Sequence, residues 1–459
     1  MQFLDLLKSL LPSVVKEWLL KDFKWILWIG LLIILISFYL IKSYLSYNFK
    51  ETIHSTQFLV ALGAIFFISG IIFLLTIYKE HLNHIENYVF GYIFIFLGLL
   101  ILVIFTLKYF NGIPKITKIV NQTNIPRAAH MSVKLKDGKI LIIGGILNGI
   151  SLKNSEIFDP NSLKFISIES LNIGRSHNGA ILLKNGNVFI VGDNGIPKEA
   201  EIFDINKNEF RLTNLKTISQ HNSFFTLTLL NDERVLIIGS GQSSFGKKTE
   251  IYDPHNDKFI NSFDLKANRM GGHTATLLKN GHVLIVGGSL VGSNIPSSKT
   301  AEQFIPETGF ILKGDLGEAR RFHTATLLPS GKVLIIGGIS ENTNKSLASV
   351  EIFDPRSGYF SFVGSLNVPR WGHTSTMLPD GSVIVIGGFT NTNVPTDIIE
   401  RYDRNTQKFK IIGRLRKSRA LHTTTSLNDG SLLIIGGVRL ENNFSENNVL
   451  KSVEILKIF

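Results

Sequence analysis

Residues 320–338 read Arg320-Arg321-Phe322-His323-Thr-Ala-Thr-Leu-Leu-Pro-Ser-Gly331-Lys-Val333-Leu-Ile-Ile336-Gly337-Gly338. After a variable loop come Glu351-Ile352-Phe353-Asp354-Pro355 and, five residues further on, Phe360. The same unit recurs along the chain: Arg-x-x-His, a Leu-Leu pair, a polar-Gly turn, four apolar residues and Gly-Gly, then Glu-x-aromatic-Asp. Its glycines fall at Gly144–Gly145, Gly192, Gly239, Gly287–Gly288, Gly337–Gly338, Gly387–Gly388 and Gly436–Gly437, at steps of 48, 47, 48, 50, 50 and 49 residues. Glu156, Glu201, Glu250, Glu302, Glu351, Glu400 and Glu454 keep the same beat. Seven copies at so regular a spacing mark a repeat architecture.

Each unit predicts four strands. The first covers His-Thr-Ala-Thr-Leu-Leu, as at His273 to Leu278, and turns on Asn280-Gly281, a dipeptide that hairpins favour. The second is a continuous apolar run such as Val333 to Ile336, the pattern of a strand buried on both faces. The glycine pair ends it where the backbone needs positive φ or a close approach. The third is Glu-Ile-Phe-Asp, and the fourth begins at Phe165, Phe210, Phe259, Phe310, Phe360 or Phe409.

The diglycine after an apolar strand, with an aromatic before Asp and a second aromatic about six residues later, resembles the kelch motif and the repeats of the galactose oxidase central propeller. The resemblance covers about residues 115–459 and implies an all-β, seven-bladed kelch-type β-propeller. The usual Trp of the second aromatic position is Phe in all six copies that show it. The last unit stops after its third strand, Ser452 to Leu456. Residues 116–120, Ile-Thr-Lys-Ile-Val, are therefore expected to supply its fourth strand and close the ring without a free edge.

Ahead of the repeats the chain changes character. Uncharged apolar runs at about 25–41, 57–78 and 88–107 each approach the ~20 residues a membrane-crossing helix needs. Trp25, Trp28, Tyr44, Tyr78, Tyr88 and Tyr109 stand at their ends, where an aromatic belt lies. Residues 1–24 predict an amphipathic interfacial segment interrupted at Pro12, and 25–109 an α-helical domain of three transmembrane spans. No span carries an ionisable residue, so the helices read as an anchor rather than a pump or channel. The lysines flanking the spans balance across the membrane. The first span has three close lysines on its N-terminal side against two beyond it, which orients the propeller outside the cytoplasm. The chain is thus expected to be an integral protein of the cell or inner membrane.

The net charge of +12 is carried mostly by the propeller, and its excess reads as spread along the chain. No glycine-rich nucleotide loop is present, and neither nucleic acid nor a cofactor is expected as a partner. The absence of cysteine removes disulfides and thiolate metal sites. It also excludes the copper radical oxidase chemistry that the galactose oxidase resemblance implies, because that cofactor needs a tyrosine cross-linked to cysteine.

Residues repeated in every blade build a ring, whereas ligand sites break the repeat. His130, His273, His323, His373 and His422, with His177 one place off, are expected to bond between blades rather than to converge on a metal. Arg127, Arg175, Arg269, Arg320, Arg370 and Arg419 pose two readings. They either pair with the repeated glutamates inside the blades, or form a cationic rim that takes carboxylates or phosphates. Asp193-Asn194 replace the second glycine of the second unit, and Phe225 stands at the histidine position of the third, so asymmetry concentrates in blades two and three. No set of residues singles out a catalytic acid and base. The reading is a scaffold that binds a protein or an anionic glycan through the loops between second and third strands. The alternative is a carbohydrate-acting enzyme resembling the sialic-acid mutarotases.

Overall fold

The computed structural model describes residues 117–457, apart from 178, 193–198, 215–216, 218–224, 240–246, 270, 290–297, 341 and 442. The interfacial segment and three spans expected within 1–109 lie outside the described residues. Among the described residues, no helix is long and apolar enough to cross a membrane.

Seven four-stranded antiparallel sheets make up the propeller. Blade five shows the rule: Thr324–Leu327, Val333–Ile336, Ser349–Asp354 and Tyr359–Ser365 lie in that order from first to fourth strand. Each first strand touches the first strands of the two neighbouring blades, and these contacts close a ring of seven. The first strands therefore surround the axis and the fourth strands form the outer rim.

Every second strand, from Ile140–Ile143 to Leu432–Ile435, is buried along its whole length. The two-residue period of a strand explains why both faces must be apolar. Leu334 and Ile336 pack towards Val383 and Val385 of blade six, while Val333 and Ile335 pack towards Leu284 and Val286 of blade four. One strand thus serves two cores, and each buried aliphatic side chain contributes about 1.5–3 kcal/mol. The paired aromatics close each blade near its turn: Phe353 faces Phe360 in register at 5.0 Å, and Phe158 faces Phe165 at 4.9 Å.

Ring closure follows the sequence expectation, with the strand shifted to Thr117–Gln122. It pairs antiparallel with Ser452–Leu456, and the seventh sheet is built from both ends of the described chain. Thr117 occupies the slot of the outer phenylalanine, opposite Leu456, and donates its hydroxyl to Glu454 at 2.5 Å.

The diglycines are a backbone requirement. Gly388 has φ +98°, and a Cβ there would lie 2.8 Å from the Cβ of His373 and 2.9 Å from the carbonyl oxygen of Trp371. Gly430, in a hairpin turn at φ +80°, has open space around it. Gly430→Ala is expected to cost about 1 kcal/mol of backbone strain, and Gly388→Ala roughly 1–3 kcal/mol more. Chemical unfolding of the two variants checks the difference; equal midpoints would show that the close approach contributes nothing.

Candidate functional site

The six arginines are buried in the blades, each with its side chain fully shielded from solvent. Arg370 Nη2 meets Glu400 Oε1 at 2.6 Å, while its Nη1 donates to the carbonyls of Gly387 at 2.8 Å and Ile398 at 2.9 Å. Arg320 repeats this with Glu351 at 2.8 Å and the Gly337 carbonyl at 2.9 Å. Arg419, Arg127, Arg175 and Arg269 do the same with Glu454, Glu156, Glu201 and Glu302. Arg269 keeps the contact although its spacing to the histidine is one residue longer. The glutamates in turn accept backbone N–H groups from the linker entering the blade, such as Asn367 and Val368 on Glu400. Burial lowers the guanidinium pKa values of Arg127, Arg269, Arg320, Arg370 and Arg419, and the facing carboxylates pull them back up.

The expectation of a cationic rim is corrected accordingly: these six guanidinium groups are consumed by internal partners and present no face to a ligand. Asp193 and Asn194 lie outside the described residues.

The histidines stitch one blade to the next. His373 Nε2 is hydrogen-bonded to Thr324 Oγ1 at 3.0 Å, His323 to Thr274 at 3.0 Å, His273 to Thr226 at 3.0 Å, His422 to Thr374 at 3.1 Å and His130 to Thr423 at 2.9 Å. In parallel, the second glycine of each regular diglycine donates to the arginine carbonyl of the next blade, as Gly338 does to Arg370 at 2.9 Å. Burial, reinforced by the nearby arginine charge, drives His373 down to about 3 and holds His422 well below its usual value. All five histidines are pushed down and neutral at neutral pH. Blade three has no such histidine; Phe225 fills the position and packs into the core shared with blade two.

His177 is not a member of that ring. It sits two residues after Arg175, in the left-handed region with φ 51°, as do Ala129, Phe322 and Leu421 in their blades. Backbone bonds join this position around the axis. His177 donates to Ala129, Ala129 to Leu421, Leu421 to Gly372, Gly372 to Phe322 and Phe322 to Gly272, over 2.8–3.3 Å.

Above this belt lies an apolar cluster separate from the blade cores. It joins Ile146, Phe389, Val438 and Val449, all buried, with the partly buried Trp371, Leu421 and Phe444. Trp371 packs between Phe322 at 5.5 Å and Phe389 at 4.7 Å, and Phe444 meets the edge of His177 at 6.3 Å. Trp371 Nε1 is buried without a hydrogen-bond partner among the described residues. The loops that build the cluster are tied in pairs. Asn148 N–H donates to the Phe444 carbonyl at 2.7 Å, and Ser346 N–H to Asn391 Oδ1 at 2.5 Å. Arg321 lies 4.8 Å over the Phe322 ring. Glu441 is nearby, its carboxyl pushed up by burial and pulled down by Arg321. None of Arg321, Trp371, Glu441 and Phe444 recurs between blades, which is the signal that a search for departures from the repeat at the loop bases would have found.

Comparison with known proteins agrees with this geometry. The kelch motif matches residues 320–367, the unit whose Arg–Glu and diglycine contacts are described above. The unit at 320–367 is a kelch repeat, and the other units share its pattern. Human Kelch-like protein 38 is 28% identical over 198 residues, covering 40% of this chain and 31% of that protein. The propeller also superposes on the structure of a fungal alcohol oxidase in complex with copper, with a TM-score of 0.60 and 16% identity over 74% of this chain and 76% of the oxidase. A likeness at that identity shows the fold alone. The structure of YjhT matches over 74% of this chain and 97% of its own length, at 13% identity and a TM-score of 0.47.

Two outcomes follow for the buried groups. Arg370→Ala strands Glu400 in the blade and is expected to cost about 3–5 kcal/mol, whereas Arg401→Ala, which breaks a partly exposed pair with Asp380, costs at most about 1 kcal/mol. Thermal unfolding of both variants checks the contrast. The histidines fix the sign of the acid response. Unfolding raises each one towards about 6.5, so the unfolded chain binds more protons below that pH and stability falls as pH drops. The five together steepen that fall between about pH 6 and 4 by up to about 1.4 kcal/mol per pH unit each. His373→Gln should flatten the slope by one such increment in urea titrations at stepped pH; an unchanged slope would show that His373 is protonated in the fold.

Proposed function

We propose that the chain is a membrane-anchored kelch propeller whose loop face, over blades five, six, seven and one, holds a protein partner. The observation that carries this reading is the Trp371–Phe389–Phe444 cluster. It is a largely buried apolar cluster outside the blade cores, with Trp371 and Phe444 among its partly exposed members, built from residues that differ between blades on loops fixed by hydrogen bonds to one another. Binding loops on a rigid scaffold are a common arrangement, and partly exposed aromatics such as Trp371 and Phe444 are side chains that protein interfaces favour. The anchor rests on the three uncharged runs within 25–107, and the placement of the propeller outside the cytoplasm on the lysines around the first of them.

A second reading, chemistry on a carbohydrate, is favoured by Glu441 alone. Its carboxyl is pushed up by burial beside the charge of Arg321, and its Oε2 lacks a hydrogen-bond partner among the described residues.

Photocrosslinking separates these faces. A photoreactive residue at Val394, 48% exposed on the blade-six loop, is expected to capture one discrete protein species in cells, and the same residue at Asn185 on a hairpin turn is not. Equal capture from both positions, or none from Val394, would refute the loop-face reading. Protease added to intact cells, after opening of any outer membrane, should cut the propeller; cleavage confined to lysed cells reverses the orientation.

A further inference from the structure

The charge of the propeller is gathered at one place on its rim. Residues 404–418 contain six basic residues and no acidic one: Arg404, Lys408, Lys410, Arg414, Arg416 and Lys417. The equivalent stretch of blade three, 254–268, holds Lys258 and Lys266 against Asp257 and Asp264 and is balanced. In blade six the stretch forms the turn before the outer strand, the outer strand Lys408–Arg414 itself, and the linker to blade seven. All but Arg414 are exposed; Arg414 pairs with Asp397 at 3.7 Å, and Lys410 faces the charge of Asp403. The adjacent Asp403 is engaged locally, accepting the Asn405 N–H at 2.8 Å.

This basic edge is fastened to the place where the described chain begins. Arg416 Nε donates to the Thr117 carbonyl at 2.9 Å and its N–H reaches Thr117 Oγ1 at 3.2 Å. Lys118 and Ile119, next along that outermost strand, are exposed, as is Lys457 at the end of the strand paired with it. Ten residues separate Thr117 from Leu107, the end of the last proposed span, a reach of at most about 35 Å. Lys108 and Lys115 lie within that connection. Basic side chains near an anionic leaflet are drawn to it within a Debye length of about 10 Å, and exposed apolar residues between them suit the headgroup boundary.

We propose that the outer edge of blades six and seven, centred on Lys408, Lys410, Arg416 and Lys417, rests on anionic phospholipid headgroups of the bilayer that anchors the chain. The inference depends on the anchor proposed above. It assigns the rim a role separate from the loop face, which it leaves open to a partner.

The full chain has no cysteine, so single cysteines can be introduced without other changes. Thr406→Cys and Asn256→Cys place a fluorophore at the same turn of blades six and three. The protein is reconstituted in nanodiscs carrying a headgroup spin label, with phosphatidylglycerol or with phosphatidylcholine alone. In phosphatidylglycerol discs, quenching at position 406 should exceed that at 256 at least two-fold. The excess should disappear in 1 M salt (Debye length about 3 Å), in phosphatidylcholine, and with Lys408→Glu combined with Lys410→Glu. Equal quenching at the two positions in a chain that stays integral overturns the headgroup contact alone. Extraction of the chain from membranes by alkaline carbonate overturns the anchor and the contact with it.

Discussion

One buried contact, repeated six times, sets the geometry of the ring: an arginine that neutralises a glutamate of its own blade while holding the carbonyl of the first diglycine residue. Breaking such a pair inside a protein leaves an uncompensated charge, so neither partner can drift independently. The glutamate reaches the linker backbone, the arginine reaches the end of the second strand, and the arginine's own carbonyl accepts from the preceding blade's glycine. Three parts of the chain that would otherwise be loose meet at one charge. The diglycine is glycine because it lies between that node and the histidine of the next blade: a Cβ on Gly387 would come within 2.8 Å of His422 Cε1.

The same economy explains what could be read from the sequence. Strands, turns, blade number and the closing strand were legible because each is fixed by residues whose roles are local or repeated: apolar runs, Asn-Gly and Asp-Gly turns, and Glu-x-aromatic-Asp. The His–Thr bonds were legible as a class, since equivalent positions on a ring cannot converge on one ion. Burial of the arginines was one of two open readings, and a repeat pattern alone cannot choose between them. A guanidinium that points into a blade and one that points outward have the same spacing. What decided it was the carbonyl cage of residues such as Gly387 and Ile398, which only the fold assembles.

The loop-face cluster was hidden for the opposite reason. Trp371, Phe389 and Phe444 come from different loops of blades six and seven, and nothing in their spacing announces that they meet. At the residue after the arginine the other blades carry residues as different as Ala128, Ser176, Arg321 and Ala420, so Trp371 looked like ordinary variation. His177 was read as a shifted ring histidine; its backbone conformation puts it with Ala129, Phe322 and Leu421 on the belt, where its side chain meets Phe444.

Separating repeated from unrepeated residues also bears on how the propeller can divide its surface. The Arg–Glu and His–Thr contacts are made within and between blades and use no loop or rim side chain, so substitutions on the loops or the rim need not disturb the Arg–Glu nodes. The loop bases of blades five, six, seven and one gather apolar side chains, whereas the outer strand of blade six and its flanks gather basic ones. A tally of charge over the whole propeller conceals the second of these, since six bases in blade six are averaged with the balanced stretch of blade three. Thr117 connects the two levels. It takes the place of a repeated phenylalanine, gives its hydroxyl to Glu454 in the seventh node, and offers its carbonyl to Arg416 of the basic edge. The strand that closes the ring is therefore also the one to which the basic edge is bonded.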